Sequence, residues 1–369
     1  GMIYDSKTRD YPYLYNLIDQ YRALAKYNNG YAYNMMFVGP GWMNKMGRWE
    51  APYELLLKSY EDGCAYYGKL KKEGVLVDMT MSEFADHYRK KKTYTEPECA
   101  LWRDILYSSD KQLFWYCDPF MRACVNMDQG GAIVDLRPYV AKLEWPVGIG
   151  TKHVQDASYP FLIQEKYRAG YFTHYAGEGT VRSAKFSHNG EEVDLCLCRT
   201  KAHFSEENGV RTLTLDPVDI EFADVTITVQ TLVSFKEGDS SIKITRKIVN
   251  STDLDVKIDV NEYMVACYGT TEYPEDMTPI TLSVTGSAGN KSEIPYEYKC
   301  REAKESGAKE VRAVIPPINT EVSLTCDNKD AAGYIREGYA FSPMFTLGYT
   351  TSLKCGEEVT TWLRLEKEN

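Results

Sequence analysis

No apolar run in this 369-residue chain approaches the roughly 18 residues that a membrane-crossing helix needs. The N-terminus also lacks the apolar core of an export signal, so the expectation is a chain with no membrane partner, located in the cytoplasm. Lys and Arg are scattered, with no dense basic stripe beyond residues 89–92, and the net charge is −10. A nucleic-acid partner is therefore not expected. The five histidines, His87, His153, His174, His188 and His203, contain no pair at H-x(3–5)-H spacing. Ten cysteines occur without a repeated C-x-x-C and read as reduced thiols, and Cys196 with Cys198 is too little for a metal site. No metal and no cofactor is expected. No segment repeats at a fixed period, which excludes a propeller or solenoid. Gly1 ahead of Met2 reads as a cleavage scar.

Alternation is abundant instead. Residues 209–269 run in nearly unbroken period two, with Val225, Ile227, Val229, Thr231, Val233 and Phe235 on one face and Thr226, Thr228 and Gln230 on the other. Breaks at 236–241 and 250–253, rich in Gly, Asp, Asn and Ser, predict a meander of antiparallel strands. Two charges fall on the apolar parity: Arg246 with Ile242, Ile244 and Ile248, and Glu262 with Val256, Ile258 and Val260. Isolated burial of either costs several kcal/mol. The pair is thus either a structural ion pair (or turned outward by a bulge) or a polar patch on a concave sheet face.

Helical spacing covers 11–27, 51–72 and 83–89, with Ser82 as the expected N-cap of the third helix. Short apolar runs at 33–38 and 75–79 read as strands between them, an α/β order with parallel strands. At 112–118 the period changes to that of a strand, and Gly130-Gly131 forms a tight turn into 132–137. The expected division is 1–110, α/β, and 111–369, a large antiparallel β-sandwich. Further strands are expected at 181–186 and 193–198, joined at Asn189-Gly190, and at 280–284, 311–315, 322–325, 345–349 and 360–365, with 298–310 a charged surface excursion.

On these residues two resemblances stand. Residues 30–90, ending Thr80-Met-Ser-Glu-Phe-Ala-Asp-His-Tyr88, resemble the closing section of a polysaccharide deacetylase-like (β/α) barrel, although that family's Asp-Asp pair and H-x(3–5)-H motif are missing. The strand, Gly-Gly turn and Ala-Ile-Val-Asp-Leu strand resemble the opening of galactose mutarotase-like supersandwiches, which follow catalytic barrels in several glycoside hydrolase families. Together they imply a carbohydrate ligand.

Three functions stay open. One is a carbohydrate-active or carbohydrate-binding protein, with Arg246, Tyr171, Tyr175 and Trp145 toward the sugar. Another is an aldose epimerase-like enzyme, with His174 or His203 as acid and Glu262 or Glu178 as base, since such chemistry needs a proton donor and acceptor on opposite sides of the ring. The last is a non-catalytic assembly module, which predicts an exposed apolar patch on the N-terminal segment. Parallel strands there would need cover on both faces, so that segment is expected to pack on the sandwich, form a homo-oligomer, or belong to a chain with a further upstream domain.

Overall fold

The computed structural model describes residues 12–23, 25, 31–32, 53–91, 97–103, 110–139, 162–164, 182–250, 256–267, 279–296, 301–337 and 344–367. The protein is mainly β, built from two large antiparallel sheets. The chain divides into two compact units, residues 1–94 with 102–110, and residues 95–101 with 111–369.

In the first unit the described elements are helices: α1 (Pro12–Ala23), α2 (Tyr53–Lys72) and α3 (Met81–Lys91). The parallel strands of a barrel end are not found among the described residues, and the expected strand at 33–38 lies outside them. Residues 75–79 lie outside the helices and pair with no strand. Their apolar character has another cause. The backbone N–H groups of Val75 and Leu76 return to the Leu70 carbonyl at 3.0 and 3.2 Å, and Gly74 adopts a φ of 72°. Leu76 then packs on Ile18 and Leu70, the hydrophobic contact that accompanies a left-handed helix stop. The cap of α3 is also two residues earlier than expected. Thr80, not Ser82, accepts the Glu83 N–H at 3.2 Å, and Glu83 reaches back to the Thr80 N–H at 2.7 Å. This reciprocal capping box leads to a modest expectation: Thr80→Ala should lower the helical signal of α3 and cost about 1 kcal/mol of the unit's stability, measured by circular dichroism during urea unfolding.

The second unit is the sandwich. Its eleven-stranded sheet takes β1 (Glu98–Arg103), β2 (Gln112–Cys117), β3 (Met121–Asn126), β4 (Ala132–Pro138), β6 (Arg182–His188), β13 (Lys257–Cys267), β20 (Met344–Lys354), β19 (Ala332–Glu337) and β16 (Glu302–Glu305), in that order. Here β5 (Ile163–Gln164) adds to β4, and β7 (Glu191–Asp194) to β6. The ten-stranded sheet runs β15 (Lys291–Pro295), β14 (Thr281–Thr285), β17 (Glu310–Ile315), β18 (Thr320–Cys326), β21 (Glu358–Lys367), β12 (Ser241–Asn250), β11 (Thr226–Lys236), β9 (Val210–Leu215) and β8 (Ala202–Glu207), with β10 (Val218–Glu221) beside β11.

The alternation in 209–269 becomes real strands, but the meander is only half there. β11 and β12 form the expected hairpin. β13 instead leaves for the other sheet and pairs with β6 and β20. Period two specifies a half-buried strand, not its partner, and both sheets offer the same apolar inner face. Asn189-Gly190 makes its turn, with φ of 48° and 86° and His188 opposite Glu191. The next strand stops at Asp194, because its side chain accepts the Cys196 N–H and starts a 3-10 turn over Leu195–Leu197. The charged stretch 298–310 contains β16, an edge strand rather than an excursion.

The inner faces meet in two apolar clusters. One gathers Leu213, Val233, Phe235, Ile242 and Ile244 against Met264, Phe345 and Leu347. The other gathers Ile227, Val229 and Ile248 against Phe186, Ile258, Val260 and Leu353. Between them each central strand places a polar side chain inward: Thr231 on β11, Arg246 on β12, Glu262 on β13, Thr351 on β20 and Thr361 on β21, all at most 4% exposed.

Candidate functional site

Two places in the sandwich concentrate polar chemistry, one inside it and one on the outer face of the eleven-stranded sheet. Inside, Arg246 reaches from one sheet to Glu262 of the other, with Nε to Oε2 at 3.1 Å and Nη2 to Oε1 at 3.2 Å. Its Nη1 donates to Thr231 Oγ1 at 2.9 Å. Arg182 enters from β6, with Nη1 at 2.8 Å from Glu262 Oε1. The three side chains are 0 to 2% exposed. This is the structural ion pair of the first alternative, joined by a second arginine. A substrate would have to part the two sheets to touch Glu262 or Arg246.

The outer face is built by the complementary parity. Register places Ser183, Tyr263, Gly348 and Tyr334 side by side across β6, β13, β20 and β19. Only glycine permits this row. A Cβ at Gly348 would overlap the ring carbon and hydroxyl of Tyr334, which lies across it, and would sit 2.8 Å from the Glu262 carbonyl oxygen. The Tyr334 ring thus covers the Gly348 backbone beside Tyr263, and the Arg336 guanidinium lies 5.3 Å from the Tyr334 ring centroid. Tyr263 donates to Asp194 Oδ2 at 3.0 Å, and Lys185 Nζ lies 6.0 Å from its ring centroid. On the same face Arg122 packs 5.2 Å over Trp115 and holds Asp135 through two bonds of 3.0 and 2.9 Å. Arg137 adds a third to that carboxylate, at 3.3 Å.

The electrostatics favour binding over proton transfer among these described groups. Burial first, then the nearby Cys196 and Asp194, push the Tyr263 hydroxyl well above its ordinary range. Burial likewise raises the Tyr334 hydroxyl and pushes the Cys196 thiol up to about 11. Near neutrality all three keep their protons and act as hydrogen-bonding groups, not as bases. Asp194 and Asp135 are already engaged, the first by Tyr263 and the Cys196 N–H, the second by two arginines.

The sequence-derived residues divide as follows. Glu262 and Arg246 come together, but between the sheets. His203 lies on β8 opposite Thr214 and is exposed, while its neighbours Ala202 and Phe204 pack toward the core. It therefore points away from the interior that holds Glu262, and the two do not form an acid/base pair. His174, Glu178, Tyr171, Tyr175 and Trp145 lie outside the described residues. Sequence reasoning missed Arg182, although it shares the parity of Ala184 and Phe186 just as Arg246 shares that of its isoleucines. It also missed Tyr263, Tyr334 and Asp194, whose association depends on which strands pair.

No family model matches the chain, and no curated protein matches it. Among solved structures it is similar to one described as a putative aldose 1-epimerase from Klebsiella pneumoniae, at 8% identity and TM-score 0.49, covering 75% of this chain and 86% of that one. A galactose mutarotase-like protein from Clostridium acetobutylicum gives 9% identity and TM-score 0.47, covering 74% and 99%. A 4-alpha-glucanotransferase from Thermococcus litoralis gives 11% identity and TM-score 0.43 over 73% of this chain and 40% of that one.

Proposed function

We propose that the protein binds a carbohydrate on the outer face of the eleven-stranded sheet. The observation that carries this reading is the row Tyr263–Gly348–Tyr334, in which the half-buried Tyr334 ring lies over Gly348 beside the buried Tyr263 and is edged by Arg336 and Lys185. A sugar presents an apolar ring face and a rim of hydroxyls. It is matched by the Tyr334 ring below and by charged donors at the edge. The experiment is a thermal-shift and glycan-array screen of the intact protein against mono- and oligosaccharides, with Tyr334→Leu and Arg336→Ala as variants. At least one saccharide should raise the melting temperature of the wild type, and the variants should weaken its binding by about tenfold, the worth of roughly 1.4 kcal/mol. A sugar response left unchanged by both variants would move the site elsewhere.

For the aldose epimerase-like alternative the acid and base to test are His174 and Glu178, because His203 and Glu262 point to different sides of the sandwich. His174→Asn and Glu178→Gln should then each slow anomer interconversion, followed by polarimetry or NMR, while leaving sugar binding in place.

One observation favours the assembly reading. Val75, Val77, Met79 and Met81 are 48, 71, 39 and 62% exposed within seven residues. An absence of any response to sugars, together with self-association of the intact chain on size exclusion with light scattering, would favour it over the carbohydrate reading.

A further inference from the structure

Arg182 is the one member of the interior charge cluster whose hydrogen bonds the described residues do not fully supply. Arg246 is bonded through Nε, Nη1 and Nη2. Arg182 has no exposure, yet its Nε and Nη2 have no hydrogen-bond partner among the described residues. Its Nη1 is satisfied by Glu262 Oε1 at 2.8 Å, a charged contact that also favours the ionised form, which leaves Nε and Nη2 as the donors without a partner. The charge count is equally unbalanced. Two guanidinium groups share one carboxylate, and the charges acting on Arg182 are Glu262, which favours its ionised form, and Arg246, which opposes it. Burial lowers its pKa to about 10, so it remains a cation at neutral pH.

A sealed guanidinium with unmet donors and a net positive neighbourhood is a rare arrangement in a folded interior. A negative ion would satisfy both the donors and the charge. The ladder neighbours of Arg182, Ile133 on β4 and Met264 on β13, are also without exposure. This closed setting suits a single-atom ion rather than a branched one. Register puts Arg182 next to the seam where the two apolar clusters meet, since it pairs with Met264 of one cluster and stands two positions along β6 from Ala184 of the other.

We propose that Arg182 binds a small inorganic anion of the halide class, chloride in ordinary solution, along its Nε and Nη2 edge between the two sheets. The site is independent of the carbohydrate reading, because it lies on the inner side of the sheet whose outer face carries the tyrosines. The ion would neutralise the excess charge and bring the cluster to two cations and two anions.

The test uses the intact protein. Its melting midpoint is followed in sodium chloride and in sodium methanesulfonate at matched ionic strength, and crystals soaked in sodium bromide are measured at the bromine edge. The midpoint should rise by about 3 °C or more between ~2 and ~200 mM chloride relative to methanesulfonate, as for a ligand that binds only the folded state. Arg182→Met should abolish that difference, and an anomalous peak should appear within hydrogen-bond reach of Arg182 Nε and Nη2. Absence of the peak overturns the assignment, whether a water or nothing stands there. So does an equal chloride response in wild type and Arg182→Met. Should the variant fail to fold, the bromide peak in the wild type decides alone.

Discussion

Replacing Glu262 with leucine should lower the unfolding free energy by about 3–5 kcal/mol in a urea titration, because it leaves two buried guanidinium groups without their carboxylate. Domains of this kind are stable by only ~5–15 kcal/mol, so the variant should be partly unfolded well below the wild-type midpoint. The triple replacement Arg182→Met, Arg246→Met and Glu262→Leu should behave very differently. It removes the charges together, leaves no buried ion without a partner, and joins the two apolar clusters into one. Its midpoint should match or exceed that of the wild type. The contrast follows from geometry already described: the carboxylate accepts from Arg246 at 3.1 and 3.2 Å across the sheets while Arg182 approaches to 2.8 Å. A Glu262→Leu protein as stable as the wild type would show that the cluster is not the sealed ion pair described. For the same reason Glu262→Ala is a poor control in a sugar-binding screen, since any loss of binding would follow from the loss of fold.

Gly130→Ala should be nearly as damaging, by a different route. Gly130 has a φ of 61°, and a Cβ there would overlap the Leu195 carbonyl oxygen and come within 2.7 Å of Leu195 Cγ. Left-handed backbone costs a side chain about 1 kcal/mol, and forced overlap in a packed region adds about 1–3 kcal/mol. Gly190 provides the internal comparison. Its φ is 86° but nothing lies within 4 Å of a Cβ built on it, so Gly190→Ala should show the backbone cost without the overlap. The difference between the two midpoints then measures the packing alone, and equal losses would contradict the close approach to Leu195. Because Leu195 sits in the turn between Asp194 and Cys196, displacing it should also loosen the Asp194 bond to Tyr263. The sugar response expected of the outer face should weaken in Gly130→Ala and persist in Gly190→Ala.

Much of the sandwich could be read from local pattern, because strand identity is local physics. The alternating run at 225–235 becomes β11 to within one residue, Asn189-Gly190 is a tight turn, and the later apolar runs match β14, β17, β18, β20 and β21, the first of them to within one residue. Partner choice could not be read. β12 and β13 look like two arms of one hairpin, yet they face each other across the core, and only that arrangement brings Arg246 to Glu262. The same ignorance of pairing hid the outer face, since Tyr263 and Tyr334 are 71 residues apart and become neighbours only through β20. In the N-terminal unit, the run Val75-Leu76-Val77 has the composition of a strand but acts as the stop of a helix. A short apolar stretch is compatible with both, and the Leu76 contact that decides it is tertiary.

The position of the last two strands has a consequence for how the protein is made. β20 lies between β13 and β19 in one sheet, and β21 between β12 and β18 in the other. Until residues 344–367 have emerged from the ribosome, each sheet is split down its middle and the inner surfaces of both halves are open. Folding of the sandwich must therefore wait for nearly the whole chain, and the nascent polypeptide carries unpaired strand edges through that delay. Such a chain should depend on chaperone binding during synthesis far more than one whose sheets are completed in sequence order.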